Sequence, residues 1–96
     1  MSLRLSELTA PAVHKMVAKN PLVIVPLGCT EQHALHLPLD TDTYQVERLA
    51  VEGAAYAKDH FDVDVLVVPT LPFGPASEHY GLPAISLTNE TWIAVL

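Results

Sequence analysis

Two apolar runs constrain this chain most: Leu22-Val23-Ile24-Val25, and the stretch from Val63 to Val68, broken only by Asp64. Neither alternates in the way a strand with one wet face does. A continuous run is what a parallel strand covered on both faces looks like. Between them the spacing predicts a helix from Thr43 to about His60. Val46, Leu49, Ala50, Gly53, Ala54, Ala57 and Phe61 fall on one stripe, with Gln45, Arg48, Glu52 and Asp59 away from it. Upstream, Leu5 to Ala18 repeats apolar residues at helical spacing, with Thr9 as a cap and Pro11 in the first turn. Downstream, Thr88-Asn89-Glu90 opens a last helix bearing Trp92 and Ile93. Strand, helix, strand is the βαβ unit of an α/β fold with a right-handed crossover.

The unit is unfinished. Two apolar parallel strands cannot cover each other's faces, and a two-stranded sheet is marginal alone. The chain is therefore expected to be one partial domain, 1–96, needing further strands from a C-terminal portion or from another chain. Half the 96 residues are hydrophobic and 17% are charged, which excludes a disordered chain, a coiled coil and a collagen-like repeat. A formal charge of −6 argues against a nucleic-acid partner. No apolar run approaches the ~18–20 residues of a membrane span. The one cysteine, Cys29, and the lack of a signal-peptide core lead us to expect a cytoplasmic protein.

Chemistry is concentrated in the long segment from Pro26 to Asp42. In extended backbone, residues i and i+2 project to one side, so Glu31 and His33 point together and Gln32 points away. Asp42 arrives just before the central helix, where an ionised carboxylate is favoured. Two carboxylates and an imidazole suit Zn²⁺, Mn²⁺ or Fe²⁺. The segment also lies at the carboxyl end of a parallel strand, the usual ligand side of open α/β sheets. A polar loop whose side chains cap backbone groups and bridge to water is the competing explanation. His36 fits hydrogen bonding to a ligand better than ligation. Cys29 as a nucleophile lacks an orienting third group, so a buried small residue is the better reading. His14 and His60 read as surface residues, and Trp92 as a core or interface anchor.

The string PLGCTEQHALHLPLDTDT resembles the signature of the creatininase (creatinine amidohydrolase) family, Gly-Ser-x-Glu-Gln-His-Gly-x-His-Leu-Pro-x-x-x-Asp. Further on, VVPTLPFGPASEHYGLPAISL is similar to that family's second loop. The resemblance implies a three-layer α/β sandwich around a largely parallel sheet, incomplete in this chain and often assembled as a homohexamer. It implies two divalent metal ions, with Glu31 on one, His33 on the other and Asp42 bridging both. It implies hydrolysis of amide or cyclic amide C–N bonds by metal-activated water, or, in at least one relative, of a carbocyclic sugar derivative. Ser77, Glu78 and His79 would then face substrate or support the metal ligands, although a capped turn at an oligomer surface explains Glu78 and His79 equally well.

The departures are specific. Cys29 replaces a serine, Ala34 replaces a glycine, Ala76 stands where the second loop has serine, and Pro83-Ala84 shortens a Pro-Gly-Thr turn. Two further family ligands, a histidine and a glutamate, have no counterpart in these residues. A non-catalytic truncated paralogue or assembly subunit is accordingly the alternative to an N-terminal portion of a metal-dependent hydrolase.

Overall fold

The structure, a computed structural model, describes residues 2–96. It divides into two compact units. One comprises the segment ending at Pro26 together with Glu47–Pro69; the other comprises Leu27–Val46 with Thr70–Leu96.

The first unit carries the βαβ core. Leu5–Glu7 forms a 3₁₀ turn, and α1 then runs over Ala10–Val17. Thr9 takes extended backbone (φ −79°, ψ 161°) and caps α1 as its sequence suggested, accepting from the Ala12 N–H at 3.4 Å, so the apolar pattern from Leu5 is split between the turn and the helix. Strand β1, Leu22–Ile24, pairs in parallel with β3, Val65–Val67, in the register Leu22↔Val65, Val23↔Leu66 and Ile24↔Val67. All three residues of β3 are buried. The reason lies on its other edge, where Arg4 bridges to Val67 and the Val67 N–H donates to Leu3 O at 2.8 Å. Among the described residues β1 has no such second neighbour, and Leu22 and Val23 are 63% and 55% exposed. The double-sided burial expected of both runs thus holds for β3 alone.

The long helix α2 spans Thr41–Phe61 and contributes residues to both units. In the first unit Ala54 packs with Val65 and Val67, flanked by Ala50, Val51 and Ala57. The small residues of the stripe do what their size suggested. Leu49, Gly53 and Phe61 are exposed instead. They sit beside the contact line, since each step along a helix turns it by roughly 100°.

In the second unit the two stretches expected to be irregular are joined by a short antiparallel pair. β2, Thr30–Glu31, pairs with β4, Ala84–Ile85. Further bonds clasp the same segments: Gly28 N–H to Leu71 O at 2.8 Å, Thr30 Oγ1 to Pro72 O at 2.8 Å, and Ala76 N–H to Ser86 Oγ at 2.9 Å. A 3₁₀ turn covers Ser77–His79, and α3, Asn89–Val95, is capped by Thr88 as its sequence suggested. Among the described residues no helix is long and apolar enough to cross a membrane. Helices packed with a parallel strand pair place the chain in the α/β class.

Candidate metal centre

The site is assembled wholly within the second unit. Glu31 is fixed by its strand pairing to Ala84, and its own N–H donates to Leu39 O at 3.1 Å. His33 lies two residues on, in a turn whose backbone bridges to Leu35 and Leu37. Asp42 comes from the first turn of α2. That helix begins two residues earlier than the spacing predicts, because the Thr41 hydroxyl donates to Pro38 O at 2.6 Å. Gly28 completes the local fit. A Cβ there would come within 2.8 Å of Thr43 Cα, so only glycine lets the loop lie on the opening turn of α2.

The result is convergence. Glu31, His33 and Asp42, all partly buried, bring ligand atoms within 4.8 Å of one another. His33 Nε2 stands 3.4 Å from Asp42 Oδ2, within ion-pair distance. Yet that nitrogen is buried and makes no hydrogen bond. An orphaned buried polar atom costs about 1–3 kcal/mol, so it calls for a partner.

A second group adjoins the first through Glu31. His79 Nε2 lies 3.0 Å from Glu31 Oε2 and 3.7 Å from Glu78 Oε1. On its other side, His79 Nδ1 is 2.9 Å from Gln32 Nε2, and Gln32 Oε1 accepts from the Ala34 N–H at 2.8 Å. Gln32, which alternation turns away from Glu31 and His33, reaches the same His79 imidazole that meets Glu31. That pairing had no signal in the sequence. Of the other candidates, Ser77, Glu78 and His36 are exposed, and His36 joins neither group. In the second loop it is the hydroxyl of Ser86, not of Ser77, that holds backbone.

Cys29 lies partly buried beside Glu31. Burial, then the charge of Glu31 and a hydrogen bond to it, push the Cys29 thiol up from its ordinary value. The thiol therefore stays protonated near neutral pH, which disfavours a nucleophilic role.

Comparison with known proteins decides the lineage. The family model for creatininase, "creatinine amidohydrolase", matches residues 6–96. The chain belongs to the creatininase family. A mycofactocin precursor peptide peptidase of Mycolicibacterium smegmatis is 43% identical over 79 residues, 78% of this chain and 29% of that protein. Its counterpart in Mycobacterium tuberculosis is 35% identical over 77 residues, 76% of this chain and 31% of that protein. A crystal structure from Bacteroides fragilis, assigned provisionally as a creatinine amidohydrolase, superposes with a TM-score of 0.83 at 34% identity, covering 96% of this chain and 36% of that one. The chain thus spans about a third of the length of these relatives.

Creatininases are in general metal-dependent, and the residues present fit such a group. Two carboxylates and an imidazole are hard and borderline donors suited to a divalent ion. The buried His33 nitrogen, which makes no hydrogen bond among the described residues, is the atom that such an ion would engage.

Proposed function

We propose that this chain carries part of the metal centre of a creatininase-type hydrolase that cleaves amide C–N bonds. It forms a portion of one creatininase domain, which works as a homo-oligomer. The observation that carries this reading is the convergence of Glu31, His33 and Asp42 around a buried His33 Nε2 with no hydrogen-bond partner.

Glu31, His33 and Asp42 would hold the divalent metal, zinc, manganese or iron. When bound, such an ion supplies Lewis acidity and lowers the pKa of a coordinated water. The chain's own residues set the stage. Asp42, in the first turn of α2, offers two carboxylate oxygens at the helix N-terminus. Glu31 brings the second negative charge from a strand that pairing holds rigid. Their partial burial lowers the local dielectric and strengthens both charges toward a cation. The likeness to peptide peptidases favours a peptide-type amide over a small cyclic one as substrate.

The test is elemental analysis of the chain purified without added metal or chelator, beside Asp42→Ala. At least one equivalent of zinc, manganese or iron, lost in the variant, is the expected result. No metal in either protein would overturn the reading, and full metal content in Asp42→Ala would remove Asp42 from it.

A further inference from the structure

The hydrogen-bond directions around Glu31 are fixed by a single backbone group. The Ala34 N–H can only donate, so the Gln32 atom it meets at 2.8 Å is the amide oxygen. The amide NH₂ therefore faces His79, and at 2.9 Å it donates to Nδ1. A ring nitrogen that accepts carries no proton. The proton of neutral His79 then resides on Nε2, the nitrogen that stands 3.0 Å from Glu31 Oε2, within ion-pair distance. Both contacts of Gln32 are hydrogen bonds of ordinary length, and together they leave the protonated nitrogen facing Glu31.

We propose that Gln32 and His79 form a positioning relay that fixes the tautomer of His79 and, through it, the orientation of the Glu31 carboxylate. This rests on the reading of Glu31 as a metal ligand. It also assigns the second group of possible ligands. Glu31, Glu78 and His79 are near enough to hold an ion, but a ligating imidazole needs its lone pair on the metal side. Gln32 places that lone pair on the opposite nitrogen, so His79 is a donor to a ligand and not a ligand. Glu78, two-thirds exposed, meets the same Nε2 at the longer distance of 3.7 Å. The relay engages Oε2 of Glu31, a carboxylate that the Cys29 thiol also hydrogen-bonds.

Two measurements test this on the full chain. Long-range ¹H–¹⁵N correlation of the metal-free protein at about pH 8, with His79 identified by its absence in His79→Gln, should show Nε2 protonated and Nδ1 bare. Gln32→Glu, which can only accept, should move the proton to Nδ1. Zn²⁺ titration by calorimetry should show affinity reduced roughly 10- to 100-fold in His79→Ala, the range for loss of such supporting partners. It should be largely restored in His79→Gln, whose amide can donate to Glu31. A proton on Nδ1 in the parent chain would overturn the relay, as would a His79→Gln no better than His79→Ala. If no form binds Zn²⁺ while Nε2 remains protonated, the metal reading of Glu31 fails and the hydrogen-bond relay stands.

Discussion

Ala34 holds φ at +57°, a left-handed conformation that costs an L-residue roughly 1–2 kcal/mol. Its position explains why the strain persists: the same turn presents the N–H that orients Gln32. Ala34→Gly keeps that N–H and removes the clash, at the expense of a more flexible unfolded chain. The net expectation is a gain of about 0.5–1 kcal/mol in denaturant unfolding, with Zn²⁺ affinity unchanged. A loss of stability would mean that the turn is not strained. Glu31, His33 and Asp42 were legible as a group, because alternation and a long motif string both point to them. The Gln32–His79 contact was not, since it joins residues 47 apart and no local pattern encodes it.

Among the elements, α2 is the one whose ends are most explicit. Past Phe61 the chain turns at Asp62 (φ 53°), whose N–H donates to Lys58 O at 3.1 Å, an αL cap without glycine. The Lys58 ammonium reaches Asp62 Oδ1 at 2.7 Å and Asp64 Oδ1 at 3.2 Å. The hydrogen bond from Lys58 lowers the Asp62 pKa, and the bond to Asp62 raises that of Lys58. The signs follow. The Asp62 contribution is present above its ordinary value of 3.8 and is lost as pH falls through the lowered one. The Lys58 contribution is present below 10.5 and is lost as pH rises through the raised one. The melting-temperature difference between the parent and Lys58→Met should therefore be flat from roughly pH 5 to 9 and shrink on both sides. It should be small and diminish with salt, because the groups are exposed. A difference that grew in acid would contradict the cap. The helix itself was plain from its periodicity, whereas β2 and β4, two residues each, are too short to carry any period.

For the whole chain, the exposed apolar surface is the dominant fact. Leu35, Tyr80, Leu49 and Ile93 are at least 72% exposed, and the free edge of β1 adds Leu22 and Val23. Exposed apolar side chains and an open strand edge each favour association. Light scattering of the purified chain should rise with concentration, and Val23→Lys, which places a charge on that edge, should lessen it. Equal scattering from both proteins would locate the association elsewhere. The α/β class could be read from the two apolar runs. The depth at which each run is buried could not, because that depends on which neighbour each strand edge acquires.

The parallel pairing bears on how the chain reaches its fold. Every matched pair between β1 and β3 lies 43 residues apart in sequence. Closing so long a loop precedes any return from the pairing, while α2 needs only local bonds and can form in about a microsecond. During synthesis β1 emerges first and waits, its apolar residues without a mate, until the whole of α2 and then β3 have followed. Folding of this unit is thus a race between that closure and adhesion of β1 to something else.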